Sequence, residues 1–240
     1  AFVAAGNTTN AMAAFSAIPR NLRLMYVHAY QSYIWNAAAS HRVRLFGVQG
    51  AVPGDLVIKA KGLLLADESA DVQSQSDSQE TTPVADEPTL VTAENAHEYS
   101  IYDVVLPLPG WAIKYPEHQV KTVYQELMDS DGLSPATLDK HPLKEYRLAG
   151  AYRHIVIRPR DFSYEWMRFD DDTLPLTQSD TDLIGEKQAP GSVESGEHVA
   201  LKLAFDLPSS AYATMLLREL MRKETAAGHQ STLSLMKTAK

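Results

Sequence analysis

The stretch Arg20-Asn-Leu-Arg-Leu-Met-Tyr-Val-His-Ala-Tyr-Gln-Ser-Tyr-Ile-Trp-Asn36 decides how the chain is read. It contains no Gly or Pro, and apolar side chains recur at helical spacing. The pattern predicts a helix over about 19–39, extending through Arg42 to Phe46. Pro19 suits its first turn, where a missing N–H leaves nothing unpaired, and Gly47 and Gly50 end it. A helix apolar almost all round is expected to be buried. Arg20, Arg23, His28 and Gln31 fall on one side as a narrow polar stripe. Tyr26, Tyr30, Tyr33 and Trp35 could stack on bases. Spread around a buried helix, they read first as core.

The flanking chain is mixed in character. Residues 1–16 are Ala-rich and read as a short helix. Gly54 to Ile58 and Leu63 to Leu65 suggest two strands joined by a turn at Lys61-Gly62. The segment 67–88 is polar and acidic. It lacks the apolar side chains needed to offset its ordering entropy and is expected to be a disordered insertion. A continuous apolar run from Ile101 to Leu108 predicts a buried strand, stopped by Pro107, Pro109 and Gly110. Val120, Val123, Tyr124 and Leu127 predict an amphipathic helix over 117–128, and Ser134-Pro135 opens another. Strands are expected at 151–157 and 162–169, around an Arg158-Pro159-Arg160 turn. A second acidic loop is expected at 170–197. Alternating Val199, Leu201, Leu203 and Phe205 predict a further strand. Pro208-Ser209-Ser210 then opens a helix to about Lys223, with a serine as its cap and Tyr212, Met215, Leu216 and Leu220 as its apolar face. These elements make an α+β chain with an antiparallel second half.

Composition narrows the function classes. There is no cysteine among the 240 residues, so disulfides and thiolate metal sites are excluded. The eight histidines show neither H-x-x-x-H nor H-E-x-x-H spacing, and no metal is expected. No apolar run approaches the roughly 20 residues of a membrane helix, and no membrane is expected. The net charge of −8 argues against nucleic acid when taken as a total. The charge is segregated, however. Between 19 and 62 the ionised side chains are Arg20, Arg23, Arg42, Arg44, Lys59 and Lys61 against Asp55 alone, while 66–98 holds no Lys or Arg. A locally basic surface can steer an anionic partner despite an acidic total.

Two further runs accompany the first: Tyr102-Asp-Val-Val-Leu-Pro-Leu-Pro-Gly110 and Leu207-Pro-Ser-Ser-Ala-Tyr-Ala-Thr-Met-Leu-Leu-Arg-Glu-Leu220. The three, in this order, resemble the TruD family of tRNA pseudouridine synthases in its eukaryotic branch. The resemblance implies a helical and mixed insertion domain at 1–144, then antiparallel strands and a C-terminal helix of the catalytic domain at 145–224, then a tail at 225–240. It also implies an intracellular enzyme, nuclear or cytoplasmic, that isomerises uridine in RNA, tRNA foremost. No metal or cofactor is implied, and the partners are RNA and the remainder of the catalytic domain.

The family's catalytic aspartate stands in a G-x-K-D-type motif upstream of the signature helix. This chain has no Lys-Asp pair. Its one Gly-Asp pair, Gly54-Asp55, begins a predicted strand, and Lys140 follows Asp139 in the wrong order. The family's N-x-F/Y-G-type run is absent too. No catalytic residue is therefore expected here. The chain begins at Ala1 rather than Met, and the resemblance implies a piece of a longer enzyme with the nucleophile upstream. A split subunit or a degenerate relative are alternatives. Tyr212, in Ala211-Tyr212-Ala213-Thr214, matches the aromatic that lines the uracil pocket; from its residues alone it is the first core residue of a helix. Arg20, Arg23, Arg42 and Arg44 are candidate contacts to the RNA backbone, with Arg20 and Arg23 equally suited to neutralise buried partners. Arg153, Arg158 and Arg160 are candidates of the same kind, or a solvated turn. The competing functions are a non-catalytic RNA-binding or scaffold chain and a protein-interaction domain.

Overall fold

The computed structural model describes residues 11–59, 87–171, 173, 175–188, 191–208, 211–222 and 228. The expected strand at Leu63 to Leu65, and all of the 67–88 insertion except Glu87 and Pro88, lie outside them. Two compact units are present, Ala1–Ile157 and Arg158–Lys240. The division falls beyond the expected 144/145 boundary because the strand at 151–154 belongs to the first unit's sheet.

The first unit opens with α1 (Ala11–Ser16) and the long α2 (Arg20–Phe46). Four short strands follow: β1 (Leu56–Val57), β2 (Thr89–Leu90), β3 (Val104–Leu108) and, after two helices, β4 (Ala151–His154). They form one antiparallel sheet in the order β2-β1-β3-β4. The predicted buried strand is thus central, and Val104 to Pro107 are all buried. Pro107 is tolerated within β3 because β1 pairs only with Val104 and Val105 and ends before it.

Helices α3 (Val120–Ser130) and α4 (Pro135–Asp139) lie between β3 and β4 in sequence. Ser134 and Thr137 close a reciprocal capping box on α4, with Pro135 in its first turn. The main core joins Ile34, Trp35 and Ala38 of α2 to Leu106 of β3, to Val120, Tyr124 and Met128 of α3, and to Leu138 of α4 and Leu148. A second core packs Val57, Val91, Ile101 and Val104.

Polar side chains hold the helices to β3 through its carbonyls. Trp35 Nε1 donates to Leu106 O at 3.1 Å, Tyr124 Oη to Pro107 O at 2.9 Å and Gln31 Nε2 to Pro109 O at 2.7 Å. Each donor thereby finds a backbone acceptor, so these residues are buried without an unpaired polar group; the Pro107 carbonyl lies beyond the end of β1, while Leu106 stands in register with Arg153 of β4. Trp35 and Gln31 therefore belong to the core. Burial pushes the Tyr124 hydroxyl well above its ordinary pKa.

The expectation that α2 is buried all round is corrected. Only the stripe Gln31, Ile34, Trp35, Ala38 and Arg42 is buried. Tyr26 and Tyr33 are exposed at 60% and 58%, and Leu22 and Met25 also face outward. Apolar composition exceeded the area that one sheet and one helix can cover. Tyr30 is intermediate, its hydroxyl donating to Asp131 at 2.8 Å. Burial, then that bond, push its pKa up to about 12.

The second unit is a two-stranded antiparallel ribbon, β5 (Arg160–Phe169) and β6 (His198–Asp206), followed by α6 (Ala213–Met221). The strands expected on either side of Arg158–Arg160 do not pair: β4 pairs with β3, and β5 with β6. The acidic loop at 170–197 is also corrected. It contains α5 (Asp180–Ile184), nucleated by a Ser179–Asp182 capping box. Its far end is tied to β5, where Arg168 donates to Gly196 O at 3.1 Å and Val193 N donates to Arg168 O at 2.9 Å. The cap of α6 is Tyr212 rather than a serine, and Ser209 and Ser210 lie outside the described residues.

Gly110 shows how closely the first unit is packed. A Cβ there would lie 2.2 Å from Gly150 N and 2.3 Å from Ala149 C, backbone atoms that cannot turn aside. Trp111 N and Ala112 N donate to Leu148 O and Ala149 O across the same approach. Gly110→Ala should destabilise the fold by about 1–3 kcal/mol or more in urea unfolding. Gly191→Ala meets open space and should stay within about 0.5 kcal/mol of the parent. Equal stabilities would show that the two segments can separate freely.

Candidate functional site

Asp55 is the one buried carboxylate among the described residues, and it is fully engaged. Arg42 grips it in two places, Nε to Oδ1 at 3.1 Å and Nη2 to Oδ2 at 2.7 Å. His118 Nε2 donates to Oδ1 at 2.9 Å and Val52 N to Oδ2 at 2.8 Å. Arg42 also donates to Gly47 O at 2.6 Å and Gly50 O at 2.9 Å, and its guanidinium lies 5.4 Å from the Phe46 ring centroid. Gly54 permits this close packing. Its φ is +93°, and a Cβ would come within 3.1 Å of His118. With Arg42 and Asp55 both at 0% side-chain exposure, neither meets a ligand. Arg42 is therefore corrected from a candidate RNA contact to a structural ion pair.

The other arginines are placed differently. Arg20 and Arg44, at the two ends of α2, are exposed. Arg23 is half-buried, 5.8 Å from the Phe15 centroid, with Nη1 donating to Ser16 O at 3.4 Å, so it joins α1 to α2. Arg153 of β4 is half-buried with its guanidinium 5.3 Å from the Trp35 ring. Stacking of this kind restricts the cation while leaving its edge donors available. Arg158 and Arg160 are exposed and belong to the second unit.

Tyr212 stands where β6 has ended and α6 begins. Its backbone is extended (φ −115°, ψ 120°), its carbonyl accepts from Met215 N at 3.0 Å, and the residue is 65% exposed. It is not a core residue of its unit. The ribbon carries further exposed rings. Cross-strand register places Tyr164 opposite Leu203 and Trp166 opposite Leu201 on one face, with Phe162 stacked on Phe205 at 6.3 Å. Tyr164 and Trp166 are 65% and 64% exposed. On the reverse face Met167 is buried and Glu165 pairs with Lys202. His118 was not singled out from sequence, whereas the alternation of Phe162, Tyr164 and Trp166 along β5 is legible there as a strand pattern. His118 lies 63 residues from Asp55, and that pairing leaves no local signal.

Among the described residues, no group of three or more His, Asp or Glu side chains is placed to hold a metal ion. No helix among them is long and apolar enough to cross a membrane. The geometry therefore offers exposed rings and cations, the chemistry of contact with flat anionic ligands; among the described residues the one buried acid, Asp55, is engaged, and His154 Nδ1 is buried without a hydrogen-bond partner.

Comparison with known proteins supplies the family. The family described as tRNA pseudouridine synthase D (TruD) matches residues 3–220, and the chain belongs to it. It is 38% identical over 225 residues to pseudouridylate synthase 7 homolog of Mus musculus, covering 94% of this chain and 30% of that protein. It is 38% identical over 231 residues to multisubstrate pseudouridine synthase 7 of Schizosaccharomyces pombe, covering 95% of this chain and 34% of that one. The chain thus spans about a third of the length of these curated relatives. The fold also matches the crystal structure of a Methanosarcina mazei protein assigned as a tRNA pseudouridine synthase D. The TM-score is 0.55 at 22% identity, over 88% of this chain and 40% of that one.

The buried pair sets a pH dependence. Burial alone would raise the Asp55 pKa, but hydrogen bonds from His118, Arg42 and Val52 N–H outweigh it and hold the carboxyl below its ordinary value. A depressed carboxylate contributes stability that is present above the unfolded value of about 3.9 and lost as pH falls through the folded one. Asp55→Asn should cost about 3–5 kcal/mol near neutral pH, because it strands the Arg42 charge. The gap between parent and variant should narrow only as pH falls below the unfolded value of about 3.9 and through the lower folded one. A pH-independent gap would show that Asp55 is not held as the anion.

Proposed function

We propose that this TruD-family chain is the C-terminal portion of an RNA pseudouridine synthase, with tRNA the first substrate class, working in the nucleus or cytoplasm. The carrying observation is the family match over 3–220 together with the exposed ring of Tyr212 at the Ala211-Tyr212-Ala213-Thr214 run. Isomerisation breaks the N1–C1′ bond of a uridine and forms C5–C1′. The C5 proton leaves and N1 gains one. The target base must first leave its stack, at a cost of roughly a few kcal/mol.

This chain's part is to bind and orient. Tyr212 presents a ring face to the uracil, and Arg20, Arg44, Arg153, Arg158 and Arg160 contact phosphate or sugar. Arg23 is a secondary candidate because it also braces α1. Residues 1–144 act as the insertion domain and 145–224 as the end of the catalytic domain. The nucleophilic aspartate comes from the remainder of the enzyme: Asp55, the one buried carboxylate among the described residues, is already engaged. A non-catalytic RNA-binding chain of the same fold is the second reading, favoured by the missing Lys-Asp pair.

The purified 240-residue chain should form no pseudouridine. In an enzyme completed with the remaining family regions, Tyr212→Ala should lower kcat/KM by about 10–100-fold, with RNA affinity changed far less, because most affinity comes from the backbone. Tyr212→Phe should be mild, since stacking needs the ring and not the hydroxyl. Tyr212 is well exposed, so its truncation should leave the melting curve within about 0.5 kcal/mol. Full activity of a stable Tyr212→Ala enzyme would remove Tyr212 from the pocket. A completed enzyme that binds RNA but forms no pseudouridine would favour the non-catalytic reading.

A further inference from the structure

The outward side of α3 is polar throughout. Lys121, Thr122, Gln125, Glu126, Asp129 and Ser130 are exposed, and no large apolar side chain between Trp111 and Leu143 is. A cavity of about 280 Å³ opens along this helix. Its apolar lining is Tyr115 with the buried Tyr124 and Met128, and the start of α4 contributes a further wall. Tyr115 meets Tyr124 edge-on, 5.1 Å between ring centroids, and the Tyr124 hydroxyl is fixed on Pro107 O. Lys121, Gln125 and Asp129 complete the lining from one helix face, at offsets of four. None of the three makes a side-chain hydrogen bond or ion pair with another described residue.

The layout selects the occupant. Protein contacts are depleted of Lys, Asp and Glu at their centre. A face with no exposed apolar side chain, carrying an unpaired ammonium, amide and carboxylate, is therefore poorly suited to cover by the other enzyme regions. The exposed apolar side chains of the first unit lie elsewhere, on α2 foremost. A volume just below the roughly 300–1,000 Å³ of drug-sized pockets suits one small ligand. Lys121 and Asp129 are eight residues apart, about 12 Å along the axis, with Gln125 midway. A ligand matched to this row carries an anion at one end, a flat apolar body, and hydrogen-bond donors at the other. A nucleotide has that order. Its phosphate meets Lys121, its base lies over Tyr115 and Met128, Gln125 reads a base edge, and Asp129 accepts from an exocyclic amine.

We propose that the α3 cavity binds one nucleotide whose base carries an exocyclic amine (adenine, guanine or cytosine) in preference to uracil. An ionised carboxylate only accepts hydrogen bonds. It matches the amine N–H groups of those bases. Uracil offers a single N–H flanked by two carbonyl oxygens, which face the carboxylate with like partial charge. The cavity is lined wholly by the first unit and is distinct from the uracil contact assigned to Tyr212. A free mononucleotide and an unstacked nucleotide of RNA share this chemistry. Only the second source rests on the RNA-enzyme reading above.

The test is calorimetric titration of the 240-residue chain with AMP, GMP, CMP and UMP. The three amine-bearing nucleotides should bind about 5- to 100-fold tighter than UMP. Asp129→Ala should bring them down to the UMP affinity and leave UMP unchanged. Lys121→Ala should weaken all four alike. Both side chains are exposed, so thermal melts should be unchanged. Fluorescein-labelled oligoadenylate and oligouridylate are titrated in parallel. An oligoadenylate preference that Asp129→Ala removes assigns the cavity to RNA, and a preference confined to mononucleotides assigns it to a free nucleotide. Equal affinity across the bases, absence of binding to every probe, or discrimination that survives Asp129→Ala overturns the proposal. Discrimination that vanishes in the completed enzyme shows that another enzyme region covers the cavity, and overturns it too. Pseudouridine formation by the completed enzyme is scored separately, so the enzyme reading stands or falls by itself.

Discussion

The Arg42–Asp55 ion pair is the constraint on which the first unit depends. Asp55 sits at the entry to β1, and its backbone carbonyl accepts from Val91 N at 2.9 Å beside β2. Arg42 lies in the penultimate turn of α2 and also ties down Gly47 and Gly50. His118 adds the approach to α3. One buried guanidinium and one buried carboxylate thus join a helix end, a loop, a sheet and a second helix start. Such a pair need not add net stability, because desolvating both ions is costly. Its effect is on specificity: any arrangement that separates the partners strands a charge in the core.

A second set of polar bonds works along β3. The carbonyls of Leu106, Pro107 and Pro109 receive Trp35, Tyr124 and Gln31. The short β1 ends before Pro107 and Pro109, and the flanking helices supply side-chain donors there; Leu106, in register with Arg153 of β4, takes the Trp35 bond as well. The polar stripe on α2 is explained by this geometry. Gln31 is in the core because a proline-rich strand end needs a donor there. The close approach at Gly110 and Gly150 then fixes the turn that follows.

The distribution of exposed rings separates scaffold from contact surface. The first unit buries Trp35 and Tyr124 and leaves Phe15, Tyr26, Tyr33, Tyr102 and Trp111 exposed. The second unit buries no ring among the described residues. Its ribbon buries Met167 and leaves Tyr164 and Trp166 in the open, and two strands alone supply little area to cover them. Tyr212, at the joint between β6 and α6, shares that exposed character. A chain spanning about a third of its relatives is expected to show surfaces completed by other segments.

Much of the local structure was legible in the sequence. The long helix, the buried central strand, the amphipathic α3, the capped α4 and the alternating β6 all follow from hydrophobic period and breaker residues, which act over a few positions. The family was legible because three long runs stand in order. What the tertiary structure alone decided was partnership. Nothing near Arg42 distinguishes it from Arg44 two residues on, yet one turns inward to an acid 13 residues away and the other faces out. Likewise β4 and β5, neighbours in sequence, pair with β3 and β6 because register and hydrogen-bonding edges lie far along the chain. The stretch that opened the reading showed that α2 is apolar. Which of its faces is buried depended on how much surface β3 and α3 could cover, a quantity set by packing and not by composition.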